Sequence, residues 1–202
     1  AYDILAAADL LGARLAPTQL EAWQETVAPL IDFISRNDET HAVISNHLAT
    51  AVAALLRWKG AGSAQARKRA EDLLSIILDN QSTEGWFSEY GGADPGYETL
   101  GLTYLADAHL RHPELGLSQP IGRSLEFLQN FAHPDGSFGG GYGSRNTRFI
   151  VPGGLEALSN AFPAAAALSA FARRSIGRHR VVTLSAIDEP NLAPHFNAYC
   201  SA

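Results

Sequence analysis

An all-α fold of tandem helical hairpins is what this sequence predicts, on two observations. Apolar residues recur at steps of three and four through most of the chain, and the pattern returns at a shift of 51 residues. Leu20, Trp23, Val27, Leu30, Ile31 and Ile34 fall on one stripe and predict a helix over 18–36. Thr18 behind Pro17, with Glu21 three residues on, has the spacing of a capping box. One-sided stripes also lie over 64–80 (Leu73, Leu74, Ile77, Leu78) and 119–132 (Ile121, Leu125, Leu128). A second set of helices, over 46–58, 97–110 and 152–161, is small and apolar almost all round. That contrast predicts inner helices buried on most sides and outer helices buried on one. Residues 2–14 read as the inner helix one repeat earlier, for seven or so helices in all.

Under the shift of 51, Leu74 lands on Leu125, Ile77 on Leu128, Gly85 on Gly136, Phe87 on Phe138 and Gly92 on Gly143. Glu84-Gly85-Trp86-Phe87 therefore matches Asp135-Gly136-Ser137-Phe138, acid-Gly-x-Phe in both. The same step carries Asn46 to Tyr97, Arg148 and Tyr199. Residues 1–202 are expected to form a single domain: three hairpin repeats of about 51 residues with partial repeats at both ends. The chain begins with Ala and contains no Met, which predicts a fragment or processed segment of a longer polypeptide. Cut ends of a repeat stack expose apolar surface, so self-association or a missing portion that completes the stack is expected.

An apolar share of 46% with 18% charged residues is globular composition. A net charge of −6 argues against a nucleic-acid partner, since phosphate neutralisation needs a basic face. Arg67-Lys68-Arg69, beside Glu71 and Asp72, reads as solvated surface. No apolar run reaches membrane-spanning length; the Ala-rich segment Ala161–Ala172 is too short. A single cysteine, Cys200, excludes an internal disulfide and a cysteine-based zinc cage. No cofactor and no metal site is implied.

The loops are unequal. Inner-to-outer connections are short, whereas 37–45, 82–96 and 134–146 are long and share the end where inner helices begin. Helix N-termini carry free N–H groups and positive partial charge, so this loop face suits carboxylates or polarised sugar oxygens. Residues 178–184 are compatible with a short strand.

The acid-Gly-x-Phe turns between paired helices resemble the repeats of the (α/α) toroid superfamily, which includes terpenoid cyclases, protein prenyltransferase subunits, and heparinase-type and alginate lyases. The resemblance implies an arc of a toroid, part of a larger six-hairpin-like ring, and covers essentially the whole chain. It does not by itself imply one activity. The Asp-x-Asp-Asp protonation motif of the terpenoid cyclases is absent. Prenyltransferases bind zinc through Asp, Cys and His, and here Cys200 stands near only His195 and Asp188. Asn46-His47 at an inner-helix start, with Tyr, Arg and Asn in neighbouring loops, is similar to the toroidal lyases.

Three clusters on the loop face carry the candidate chemistry. A polysaccharide lyase needs an amide or cation to neutralise a uronate carboxylate and a His or Tyr to remove the C5 proton; Asn46 and His47 have those types. Asn46 as a helix cap and His47 as a packing residue is the alternative. The second cluster holds Glu89, Tyr90, Asp94, Tyr97 and Glu98, with Trp86 just before it. Aromatic faces stack on sugars, carboxylates accept from hydroxyls, and Glu89 with Asp94 or Glu98 has the makings of a hydrolase acid/base pair. The competing view is a folded loop in which Asp94 caps the next helix. The third, Gly139 to Arg148, contains Tyr142, Arg145, Asn146 and Arg148. Its arginines suit a carboxylate or sulfate, and Tyr142 suits an acid or base. Alternatively one Arg pairs with Glu89, Asp94 or Glu98 and staples adjacent repeats. His47, Tyr142 and Arg145 are thus the catalytic candidates; Asn46, Trp86, Glu89, Tyr90, Asp94, Tyr97, Glu98, Asn146 and Arg148 are the substrate-binding ones. His109 and His112 read as surface residues.

The function expected is a carbohydrate-active domain, a polysaccharide lyase or glycoside hydrolase, whose ligand is an acidic or neutral glycan. The alternatives are an isoprenoid-handling toroid with an aromatic cavity, or a non-enzymatic helical-repeat scaffold.

Overall fold

The computed structural model describes residues 1–141, 148–183 and 185. It is all-α: α1 (Tyr2–Leu11), α2 (Pro17–Arg36), α3 (Ser45–Arg57), α4 (Ser63–Asp79), α5 (Pro95–Arg111), α6 (Ser118–Gln129), α7 (Pro152–Leu158) and α8 (Pro163–Gly177). Consecutive helices pair as hairpins. The odd-numbered helices α1, α3, α5 and α7 pack in succession as an inner layer, and the even-numbered ones lie outside them.

Burial separates the layers. Helix α5 is buried on nearly every side, from Pro95 and Gly96 through Ala106 and Ala108. In contrast, α2 buries only Val27 and Ile31 of its stripe, and leaves Leu30 and Phe33 exposed. The shift of 51 is written into the outer helices: Ala66, Ala70 and Leu73 of α4, Leu117, Ile121 and Ser124 at α6, and Leu168, Ala172 and Ser175 of α8 are equivalent and all buried. The Ala-rich segment Ala161–Ala172, too short for a membrane span, lies where the brief inner-to-outer connection at Phe162-Pro163 leads. From Pro163 it is the outer helix α8, and no helix among the described residues is long and apolar enough to cross a membrane.

The inner layer packs backbone to backbone. A Cβ on Gly154 of α7 would stand 2.7 Å from the Leu102 carbonyl carbon and the Thr103 nitrogen of α5. Thr99 and Thr103 turn that proximity into bonds, their hydroxyls accepting from the Val151 and Gly154 N–H groups at 2.9 and 3.3 Å. The N-terminus of α7 is thus satisfied by side chains of its neighbour.

The acid-Gly-x-Phe turns are structural equivalents. In one, Gly85 donates to the Ser82 carbonyl and Ser82 to that of Trp86; in the other, Gly136 donates to His133 and His133 to Ser137. Both glycines have positive φ, 105° and 90°. Phe87 and Phe138 are buried plugs. Glu84 accepts from Trp86 Nε1, and Asp135 accepts from the Ser137 amide and hydroxyl. The acid of each turn therefore fastens the residue two positions on.

Four local expectations are corrected. The α2 cap lies two residues earlier than the Thr18/Glu21 spacing suggests: Gln19 Oε1 accepts from the Ala16 N–H, and Pro17 opens the helix. No strand occurs among the described residues of 178–184; α8 runs to Gly177, His179 takes positive φ, and Val182 donates to the Arg148 carbonyl. Arg69 is not solvated surface: it is half-buried, donates to the Ile34 and Asn37 carbonyls, and pairs with Asp38, which fastens the loop after α2. His109 is half-buried beside Phe162, with Nδ1 shielded from solvent.

Candidate functional site

Loop 82–96 lies across the start of α3. Ser45 donates to the Ser88 carbonyl and Tyr90 to that of Val43, and Ile44 and Glu89 form an antiparallel bridge. This brings Glu89, which is buried, onto the N-terminus of α3. Its Oε1 accepts from the Asn46 backbone N–H at 2.8 Å, and its Oε2 from the Asn46 side-chain amide at 2.9 Å. A carboxylate there meets unsatisfied helix N–H groups and the positive end of the dipole, so its ionised form is the one favoured. Asp94, fully buried, plays the same part for α5 and accepts from the Tyr97 N–H at 3.1 Å.

Glu98, in the first turn of α5, is the third buried carboxyl. Oε1 accepts from the Ser124 hydroxyl at 2.6 Å and the Phe87 N–H at 3.3 Å, while buried Oε2 has no hydrogen-bond partner among the described residues. Burial pushes its pKa well above the usual carboxylate range, and the charges of Glu89 and Asp94 add to the shift against the two hydrogen bonds. Burial thus favours the protonated form of Glu98, which bonds α5 to α6 and to the Gly85 turn.

The aromatic candidates stand nearer the surface. Tyr90 is exposed at positive φ, 56°. Trp86 is half-buried, and Tyr97 sets its ring edge-on to Phe149 at 5.3 Å. Arg148 is exposed. Tyr142, Arg145 and Asn146 lie outside the described residues, as do His195, Cys200 and Asp188.

His47 takes a different direction from Asn46. It is exposed and lines a groove of about 300 Å³ between the end of α2, the 37–44 loop and the start of α3. Ile34, Leu48, Ala51 and Leu73 also line this groove, and Phe33, 62% exposed, stands at it. Two imidazoles share one carboxylate there. His41 Nδ1 lies 3.1 Å from Glu39 Oε1, and His47 Nδ1 lies 3.5 Å from Glu39 Oε2. The same contacts hold the Glu39 pKa below its ordinary value, so it is ionised and acceptor-only, and each Nδ1 must donate. With the proton on Nδ1, Nε2 is left as the lone-pair acceptor, the tautomer a base requires.

The structure thus joins Asn46, Glu89, Asp94 and Glu98 in one buried network and places His47 in a separate groove. Sequence reading missed Glu39 and His41, because 37–45 shows no periodicity and their meeting with His47 depends on the bend after α2. Among the described residues no group of three His, Cys, Asp or Glu side chains is placed to hold a metal ion. Comparison of this chain with protein-family models, with curated proteins and with solved structures gives no match, so its functional reading rests on these sites.

Proposed function

We propose that the chain is a carbohydrate-active domain of the α/α-toroid type, which binds a glycan at its loop face with His47 as the proton-accepting group. The observation that carries this reading is the Glu39–His47–His41 arrangement, in which one carboxylate orients two imidazoles beside an exposed phenyl ring in a groove. A sugar ring stacks on Phe33 and donates a hydroxyl to Nε2, or yields a carbon-bound proton to it. For an acidic polysaccharide the uronate carboxylate needs a cation as well, and no arginine or lysine lines the His47 groove among the described residues. Asn46 is held by Glu89 and is not assigned that part.

The test is calorimetric titration with uronate-containing and neutral oligosaccharides, alongside absorbance detection of the double bond that a lyase leaves. Binding that weakens at least tenfold in His47→Ala and Phe33→Ala supports the reading. An intact protein that ignores the whole panel removes it. A non-enzymatic scaffold is the second reading, favoured by the fact that Glu89 and Asp94 serve as helix caps and Glu98 as a buried tie within the fold.

A further inference from the structure

Away from the loop face, a groove of about 320 Å³ crosses the inner layer and is lined by all four inner helices. Tyr2, Ala6 and Leu10 come from α1, Arg57 from α3, Thr103, Asp107, Leu110 and Arg111 from α5, and Gly153 and Ala157 from α7. Small residues on opposite sides, Ala6 against Gly153 and Ala157, leave a slot. Leu10 (84% exposed) and Leu110 (55% exposed) extend its apolar surface into solvent.

The polar end is a charge network. Arg57 is buried, binds Asp107 through Nε and Nη2 at 2.8 and 2.6 Å, reaches Asp9 at 2.6 Å, and lies 5.2 Å from the Tyr2 ring centre. Lys59 and Arg111 also pair with Asp9, and Arg111 Nε donates to Asp107 at 3.1 Å. Within these ion pairs three cations face two carboxylates, one positive charge in excess, while Asp3 on α1 lies near Tyr2. Arg57 spends its donors inside the network. Arg111, 40% exposed at the end of α5, does not: its Nε is used, its Nη1 contact to Asp9 is a long 3.4 Å, and its outer edge faces the groove.

We propose that this groove binds an extended aliphatic carboxylic acid, with the carboxylate on Arg111 and the chain along the slot between Leu10 and Leu110. One surplus guanidinium matches a monoanion, whose two oxygens fit the guanidinium fork. The alkyl chain covers leucine surface that is otherwise in water. At roughly 30 Å³ per water-sized group the volume holds on the order of ten heavy atoms, so a medium-chain acid fits. The site is independent of the loop-face reading, since none of its residues lines the His47 groove.

The experiment is titration of the full chain with decanoate below its micellar concentration, by calorimetry and by amide chemical shifts. Saturable one-to-one binding is expected, with shifts centred on Leu10, Leu110, Arg111 and Ala157. Arg111→Gln, which leaves the Arg57–Asp107–Asp9 core in place, is expected to weaken binding at least tenfold, and decanol to bind at least tenfold more weakly than decanoate. Absence of saturable binding, equal affinity for decanol, or an Arg111→Gln protein that folds and binds as tightly as the parent would each overturn the assignment.

Discussion

Asn46→Ala separates the two jobs open to the Asn46 amide. If the amide serves the fold, its loss leaves buried Glu89 Oε2 without its 2.9 Å donor, while the backbone bond to Oε1 survives. A hydrogen bond to a charged group contributes roughly 1.5–3 kcal/mol, so a destabilisation of about 2 kcal/mol is expected. For a domain of this size that is a fall in melting temperature of roughly 4–8 °C. Thermal and urea denaturation measure it, with glycan titration run on the same sample below the transition. Asn46→Asp sharpens the test, because a second carboxylate set against Glu89 costs more than alanine at neutral pH and recovers on acidification, when one of the pair takes a proton. If Asn46→Ala kept full stability and lost glycan binding, the amide would belong to the ligand and the capping argument would be refuted.

Other parts of the network make equally direct predictions. Glu98 has a raised folded pKa, so the native state holds its proton after the unfolded chain has released it. Its contribution to stability therefore falls as pH rises from about its ordinary 4.5 toward the folded value. Glu98→Gln, which keeps the Ser124 and Phe87 bonds on its carbonyl oxygen, is expected to gain stability over wild type through that window, read from denaturation midpoints at pH 4 to 8; a variant that loses ground as pH rises would show that the acid is ionised. Gly85→Ala is expected to cost on the order of 2–4 kcal/mol, from a φ of 105° and a Cβ placed 2.4 Å from the Arg123 carbonyl oxygen of α6. Urea denaturation reads that cost, and a loss below about 0.5 kcal/mol would mean the turn does not bear on α6. Arg57→Ala is expected to cost roughly 3–5 kcal/mol by stranding Asp107 and Asp9 between α1, α3 and α5, whereas exposed Arg36→Ala, with its surface pair to Asp32, should cost under about 1 kcal/mol in the same assay.

What the sequence made legible follows from where each interaction sits along the chain. Helices over 18–36, 64–80 and 119–132 were readable because their burial repeats every turn, and local periodicity reports it. Helix α8 was given no stripe or bounds beyond its start after Phe162-Pro163, because Ala164 to Ala167 offer no contrast between faces; the shift of 51, which sets Leu168 under Leu117 and Ala172 under Ile121, was the usable signal. Helix α7 ends at Leu158, short of the expected 161, because the chain turns before the next proline-opened helix at Pro163. Asp94 was readable as a cap from its place before Pro95-Gly96. Glu89 was not, because its partner Asn46 lies 43 residues away and only the laying of one loop across another helix start joins them.

The same distinction bears on function. Residue type alone set Asn46, His47, Glu89 and Glu98 together as candidate chemistry. Physical context divides them by what each atom is already bonded to. Glu89 and Asp94 satisfy helix N–H groups that otherwise favour an anionic ligand, so the described N-termini of α3 and α5 are answered from within the chain. Glu98 is buried, which favours its protonated form, and is bonded to Ser124 and Phe87. His47 and His41, by contrast, spend only Nδ1 on Glu39, and their Nε2 atoms keep the lone pair that a base needs. Tautomer is the decisive observable. Nitrogen NMR should show the Nδ1–H tautomer in both rings, and Glu39→Gln should weaken that preference. Were His47 instead the Nε2–H form in the intact protein, Glu39 would not be orienting it and the loop-face reading would lose its base.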